Sequence, residues 1–140
     1  MNARTDVYLK ANTLSAEEKL VETIRRGNAY KDAGADGFYP IFLKEKESMK
    51  SIVKEVGLPV NILLLPGIPD FDTLQTIGIA RVSLGPGFLK TAINAMKNIA
   101  ENLLLYEGMQ EVSDNPITTA YLTILVSNIK NDEPNINYGN

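Results

Sequence analysis

Short apolar runs of strand length alternate with helix-period segments along this chain, and this alternation limits the fold more than any other feature. The pattern is typical of a parallel β-sheet covered by helices. We read four strand-and-helix units. The strands are predicted over residues 3–9 at most, 37–42, 60–65 and 79–84.

Local signals predict where the helices begin and end. Ser15 with Glu18 three positions later is a capping box, and it opens a helix that Gly34 is expected to end. Apolar residues at helical spacing predict the next helix, and Gly57 is expected to end it. The later helices are predicted from Phe71, Leu74 and Ile77, from Leu89, Ile93, Met96 and Leu103, and from Asp114 with Pro116 onward to about residue 130.

Chain length conflicts with a closed barrel. The 140 residues allow one domain with a core, whereas an eight-stranded βα barrel needs roughly 250 residues. Four units cannot close alone, and they leave two open sheet edges and an uncovered inner face. We therefore predict a half-barrel over residues 1–108, a helical extension over 109–130 and a flexible polar tail over 131–140.

Composition excludes several classes of protein. With 44% hydrophobic and 22% charged residues the chain resembles ordinary soluble proteins, and a net charge of -3 offers no basic surface for nucleic acid. The longest apolar run, residues 62–65, is far short of a membrane span. The absence of cysteine fits a cytoplasmic protein. Because histidine is also absent, any metal would be held by oxygen ligands.

Four short motifs occur in a fixed order. They are Asn-Ala-Arg-Thr-Asp at residues 2–6, Ala-Gly-Ala-Asp at 33–36, Pro-Val-Asn-Ile-Leu at 59–63 and Ala-Arg-Val-Ser-Leu-Gly-Pro at 80–86. Through them the chain resembles the isocitrate lyase and phosphoenolpyruvate mutase family. The resemblance implies the C-terminal half of a TIM-type (β/α)8 barrel, with an extra C-terminal helix.

Barrel enzymes place their chemistry where the strands end, and Arg4 and Asp6 leave the first strand. An arginine fork suits a carboxylate or a phosphonate. The resemblance implies that Arg4 binds the substrate's acid group, and we expect Asp6 to orient it. The alternative is a salt bridge between the two that serves only structure.

Two further candidates follow later strands. Asn61 is a polar residue in an apolar strand, so its amide needs partners; the resemblance implies a substrate carboxylate, and neighbouring backbone is the alternative. Gly85 and Gly87 precede a helix and could bind an anion through backbone N–H groups. More often such glycines only make the turn.

No metal ligand and no catalytic residue is expected in this chain. Asp6, Asp36 and Asp70 lie near strand ends, but the resemblance implies that the family's Mg²⁺ carboxylates and the lyases' cysteine loop come from an upstream half. Lyase members carry a glutamate after the aromatic-proline pair of the second strand, whereas Ile41 follows Tyr39 and Pro40 here. This difference disfavours isocitrate or methylisocitrate cleavage.

The resemblance therefore implies the C-terminal part of a Mg²⁺-dependent lyase or phosphonomutase that acts on a small 2-oxo acid or phosphonate through an enolate-like intermediate. The isolated chain is expected to be inactive. The alternative is a non-catalytic oligomeric half-barrel with a residual anion-binding pocket. In either case a second copy, through Tyr121, Ile124 and Leu125, or a complementary N-terminal half is expected to cover the exposed faces.

Overall fold

A computed structural model describes residues 1–131 of the chain. Its four strands are β1 (Asn2–Thr5), β2 (Gly37–Pro40), β3 (Asn61–Leu63) and β4 (Arg81–Ser83). The pairs β1 with β2 and β3 with β4 are parallel, and a parallel bridge between Phe38 and Val60 joins them. The strands therefore lie side by side in chain order, as consecutive right-handed βα units would place them.

Helices follow each strand. They are α1 (Val7–Lys10), α2 (Ala16–Asp32), α3 (Lys46–Val56), α4 (Phe71–Ile77), α5 (Gly87–Leu104), α6 (Met109–Ser113) and α7 (Thr119–Asn131). The alternation of strands and helices confirms an α/β fold. None of the helices described over residues 1–131 is long and apolar enough to cross a membrane.

Side chains and glycines set the helix ends as the sequence predicts. The Ser15 hydroxyl accepts from the Glu18 N–H, and the Glu18 carboxylate accepts from the Ser15 N–H, which completes the capping box of α2. Gly57 ends α3 in the left-handed conformation with φ 65°, a region that costs glycine little.

The core lies between the sheet and helices α2, α3 and α4. Phe38, Val60 and Ile62 project from the strands, and helix residues meet them. Burying each such side chain contributes about 1.5–3 kcal/mol. The buried cluster comprises Phe38, Leu43, Met49, Ile52, Val56, Val60, Ile62, Leu74 and Ile77.

The first strand is shorter than predicted. Residues 7–10 form α1, which was not predicted, so the strand ends well before residue 9, the upper limit given for it. The Asp6 carbonyl accepts from the N–H groups of Leu9 and Lys10, at 3.0 and 2.8 Å, which turns the backbone out of the sheet. This local turn overrides the β preference of the apolar residues that follow.

Other boundaries also differ from the predictions, and β3 and β4 are shorter than the predicted strands 60–65 and 79–84. The strand predicted to reach residue 42 ends at Pro40, and Phe42 adopts a φ of 67°, outside the range of a strand. The last helix begins at Thr119 rather than beside Pro116, because the Thr118 hydroxyl accepts from the Tyr121 N–H at 3.2 Å. The five-residue α6 was not predicted.

The chain divides into two compact units, Met1–Lys90 and a second that begins at Thr91. The first contains the four strands and the core. The second contains most of α5 together with α6 and α7. The predicted flexible tail over 131–140 lies, after residue 131, outside the described residues.

Candidate functional site

One row of side chains crosses all four strands on the sheet face turned away from the helices. In the strand register Arg4 lies beside Tyr39, and Asn61 lies beside Arg81. The bridge between Phe38 and Val60 places Tyr39 beside Asn61. Phe38, Val60 and Val82, the neighbours in sequence, pack on the core. Because side chains alternate along a strand, Arg4, Tyr39, Asn61 and Arg81 share the opposite face.

Arg4 and Asp6 form the ion pair that the sequence predicts. The Arg4 Nε donates to Asp6 Oδ1 at 2.6 Å, and Lys10 Nζ lies 3.5 Å from Asp6 Oδ2. The Arg4 side chain is 49% exposed. Among residues 1–131 the two Nη groups of Arg4 have no hydrogen-bond partner, so Asp6 holds one edge of the fork and leaves the other open to a ligand.

The hydrogen bond and the opposite charges of Arg4 and Asp6 shift the pKa values of the two groups in opposite directions. The hydrogen bond from Arg4 holds the pKa of the Asp6 carboxyl below its ordinary value, with a smaller contribution from Lys10. The same bond raises the pKa of Arg4. Both groups therefore stay charged near neutral pH.

Asn61 is only 3% exposed, and its partner is a side chain. The Ser83 hydroxyl donates to Asn61 Oδ1 at 3.0 Å across β3 and β4. Neither predicted partner, a ligand or neighbouring backbone, accounts for this bond. Within the described part of the chain the Nδ2 group donates to no acceptor, so the amide keeps both of its donors for a ligand.

The Gly85 to Gly87 turn is built mainly by its own backbone. Gly85 has a φ of 56°, and the Gly87 N–H donates to the Leu84 carbonyl at 3.0 Å. The Gly87 N–H would have to break its hydrogen bond to the Leu84 carbonyl before it could donate to an anion. Anion binding by Gly85 and Gly87 therefore stays a prediction, whereas their role in the turn is observed.

The three strand-end aspartates have other partners. Asp6 binds Arg4, Asp36 pairs with the amino group of Met1, and Asp70 Oδ1 caps α4 by accepting from the Thr73 N–H at 2.7 Å. Over residues 1–131 no group of three or more acidic side chains is arranged to hold a metal ion. These residues do not fit a Mg²⁺ site, which needs several oxygen ligands around one point.

Two cavities lie near the row. The smaller, of about 250 Å³, is lined by Asn2, Gly37, Asn61 and Arg81 together with Asp36 and other residues at the amino ends of the strands. The larger, of about 830 Å³, lies between α1 and α2 and touches the site only at Asp6. The smaller cavity therefore touches the row at Asn61 and Arg81, and it is not lined by Arg4 or Tyr39.

The sequence pattern did not identify Tyr39, Ser83 or Arg81 as site residues. Tyr39 belongs to an apolar strand, and Arg81 and Ser83 lie in a motif that indicated only the family resemblance and the turn at Gly85 and Gly87. Arg81 and Ser83 lie on either side of Val82 in the sequence. Because side chains alternate along a strand, both lie on the face opposite this core residue, and this alternation was the available signal. Only the strand register shows that they align with Arg4 and Asn61.

Comparison with known proteins shows the family of the chain. The family described as phosphoenolpyruvate phosphomutase matches residues 1–104. An uncharacterized protein of Mycobacterium tuberculosis is 35% identical over 85 residues, which are 61% of this chain and 31% of that protein. Oxaloacetate decarboxylase of Pseudomonas putida is 29% identical over 123 residues, 82% of this chain and 40% of the enzyme.

Two solved structures are similar to this chain. A phosphonomutase candidate from Burkholderia cenocepacia is similar with a TM-score of 0.66 and 33% identity, over 71% of this chain and 40% of that one. A lyase/mutase candidate from the same organism gives a TM-score of 0.72 and 26% identity, over 90% and 44%. The chain thus spans less than half the length of each of these relatives.

Proposed function

The chain belongs to the phosphoenolpyruvate phosphomutase family, and from that premise we propose that it forms the C-terminal part of a Mg²⁺-dependent enzyme acting on a small 2-oxo acid or phosphonate. The family includes lyases and phosphonomutases, as the names of the relatives indicate. The reaction type is therefore carbon–carbon or carbon–phosphorus chemistry on a small acid.

The observation that carries this proposal is the position of Arg4. Its Nε donates to Asp6, its Nη groups have no hydrogen-bond partner among residues 1–131, and Arg4 lies in the same row as Asn61. A guanidinium edge binds a carboxylate or phosphonate with two parallel hydrogen bonds. Asn61, with open Nδ2 donors, would add a hydrogen bond to the same ligand.

We further propose that the four strands are half of a TIM-type barrel. Their parallel order, β1 to β4, is that of consecutive barrel units, and both outer strands have an edge without a partner among the described residues. A barrel closes only when further strands fill these edges. Relatives more than twice as long supply room for four more units.

Magnesium dependence is part of this proposal, but its ligands would lie outside this chain. Asp6, Asp36 and Asp70 are occupied by Arg4, the chain amino group and the α4 N-terminus. Ile41 stands where lyase members have a glutamate. We therefore favour phosphonomutase or decarboxylase chemistry over isocitrate cleavage.

A chimera tests the proposal. This chain would replace the matching 123-residue segment of Pseudomonas putida oxaloacetate decarboxylase, and decarboxylation of oxaloacetate and turnover of phosphonopyruvate would be measured with Mg²⁺ and with EDTA. We expect Mg²⁺-dependent activity from the chimera and none from the isolated chain. Turnover of order 10 s⁻¹, a typical enzyme rate, by the isolated chain would contradict the proposal.

The Arg4→Lys variant of the chimera separates substrate binding from structure. Lysine keeps the charge but loses the two-pronged geometry, so kcat/KM should fall while the melting temperature stays the same. Arg25→Lys is the matched control, because Arg25 pairs with Glu22 on the surface of α2, away from the sheet. A lower melting temperature with normal kinetics would support the purely structural salt bridge.

A further inference from the structure

Phe42 has a backbone conformation that a bulky residue disfavours. Its φ of 67° lies in the left-handed region, where a large side chain crowds the backbone. Among residues 1–131, Phe42 and Tyr106 are the non-glycine residues with a positive φ, and glycines such as Gly57 and Gly85 have that conformation elsewhere. The phenylalanine therefore needs a reason beyond making a turn.

The turn that contains Phe42 is fixed by its neighbours. The Leu43 N–H donates to the Pro40 carbonyl at 3.3 Å, so Phe42 is the third residue of a four-residue turn. A positive φ at this position favours glycine or asparagine. Ile41 and Leu43 are both buried and hold the turn on either side of Phe42. A glycine at position 42 would adopt the same turn without strain.

The core does not account for the phenylalanine. Phe42 is 38% exposed, and within the part of the chain that the structure describes it belongs neither to the buried cluster nor to the residues packed against that cluster. Backbone strain that core packing does not explain is found mainly at functional sites. The side chain of Phe42 is therefore a candidate for a role in binding.

Phe42 lies at the edge of the sheet where the candidate anchor lies. Strands β1 and β2 are parallel, so the residues that follow them leave the sheet at the same edge. The Ile41 N–H donates at 3.3 Å to the carbonyl of Thr5, the residue between Arg4 and Asp6. The turn is thus joined to the end of β1, and barrel enzymes bind their substrates at this carboxyl edge.

We propose that Phe42 determines specificity: its ring is an apolar wall beside the acid group that Arg4 binds, and it limits the substituent that a bound 2-oxo acid can carry. This inference rests on the function proposed above. The ring stabilises a small ligand by removing its apolar surface from water. A longer substituent would collide with the ring, and a steric clash of this kind is a common source of specificity.

Binding of two 2-oxo acids to the full chain tests the wall. Pyruvate carries a methyl group and 2-oxohexanoate a longer alkyl chain, and NMR titration gives the dissociation constant of each. The wild type should prefer pyruvate. Phe42→Gly should weaken pyruvate binding and shift the ratio of the two constants by about tenfold in favour of 2-oxohexanoate. Phe42→Leu, which keeps an apolar side chain, should bind pyruvate almost as the wild type does.

Tyr106→Gly is the matched control. Tyr106 has a φ of 60° and is 99% exposed, so this change also replaces an aromatic residue of positive φ by glycine, but in the second unit of the chain. It should leave both dissociation constants unchanged. Circular dichroism shows whether each variant is folded. If Phe42→Gly does not fold, Phe42→Asn takes its place, because asparagine tolerates the left-handed conformation and lacks the ring.

The outcomes separate the wall from the proposed function. If Arg4→Gln weakens both acids and Phe42→Gly changes neither, the wall is wrong and the proposed function stands. If Phe42→Gly weakens both acids by the same factor, Phe42 acts only through the shape of the turn, and the wall is again wrong. If Arg4→Gln weakens neither acid, the substrate anchor of the proposed function is wrong, and the wall beside it falls too.

Discussion

The Ser83 hydroxyl donates to the Oδ1 atom of Asn61 at 3.0 Å, and this bond joins two neighbouring strands within the candidate site. It gives the buried amide oxygen of Asn61 a donor, and it leaves the Nδ2 group on the side of the amide away from Ser83. The orientation of Asn61 therefore depends on β4, the strand that follows it, and on the pairing of β3 with β4.

Removing this bond should destabilise the chain. Ser83→Ala leaves the Asn61 oxygen buried without a donor, which costs about 1–3 kcal/mol of unfolding free energy. Urea denaturation followed by circular dichroism measures the loss. The double variant Asn61→Leu with Ser83→Ala removes both polar partners and should be less destabilised than Ser83→Ala. Equal stability of wild type and Ser83→Ala would show that the amide oxygen has another donor.

The ion pair between Arg4 and Asp6 predicts a pH dependence. Because Arg4 lowers the pKa of Asp6 below the ordinary 3.8, the stabilisation is present above that value and is lost as the pH falls through the folded-state pKa. Arg4→Gln should raise the pKa of Asp6 toward 3.8, with Lys10 keeping part of the shift. Carboxyl NMR titration measures this change.

Glu22 is the internal control for the same titration. Its pKa is lowered to about 2 by Arg25 and Arg26 on α2, and neither belongs to the site. Arg4→Gln should leave this value unchanged. If the pKa of Asp6 also remains unchanged in the variant, the side chains are not paired in solution.

Local signals were sufficient for most of the fold. The capping box at Ser15 and Glu18 and the stop at Gly57 are each decided within a few residues, and the structure confirms them. The contact of Arg4 with Asp6 spans two positions and could also be predicted. The turn after Asp6 was missed because the apolar residues behind it favour a strand on their own.

Relations across strands could not be predicted from the same signals. Arg4 and Arg81 are 77 positions apart in sequence, and only the register of three strand pairings places them in one row. A shift of one residue in the pairing of β3 with β4 would put Arg81 on the face opposite Asn61, and a shift in the pairing of β1 with β2 would put Arg4 on the face opposite Tyr39. The polar row is therefore a property of the assembled sheet.

Gly27 is a close-packing position that the sequence pattern did not indicate. It lies in the middle of α2, and a Cβ atom there would lie 2.7 and 2.9 Å from the two Cγ atoms of Val56 and 3.1 Å from Phe38 Cε1. Gly27→Ala gains about 1 kcal/mol in helix propensity, but overpacking costs about 1–3 kcal/mol. We expect a net loss of stability in urea denaturation.

Val56→Ala identifies the cause of that loss. If the clash with Val56 is responsible, truncating Val56 should cost less in the Gly27→Ala background than in the wild type, so the two changes are not additive. Additive effects would mean that α2 and α3 move apart without strain. A more stable Gly27→Ala variant would contradict the close contact itself.

Apolar side chains remain exposed on the second unit. Helices α5 and α6, both within the described residues, have no buried residue. On α7 the side chains of Tyr121, Ile124 and Leu125 are 46%, 56% and 44% exposed. Spacings of three and four residues place these three on one face of the helix, and exposed apolar patches of this kind mark association surfaces.

We expect this face of α7 to pack against a second copy of the chain, so that the protein is a homodimer or a larger assembly. Ile124→Glu would place a charge in that contact and should shift the assembly toward monomer, as measured by analytical ultracentrifugation over micromolar concentrations. Thr123→Glu adds the same charge on the opposite side of α7 and should leave the mass unchanged. Truncation after Gly108 removes α6 and α7 and should also weaken association. A wild-type chain that stays monomeric and unfolds cooperatively would contradict the prediction, because the exposed apolar surface would then need no partner.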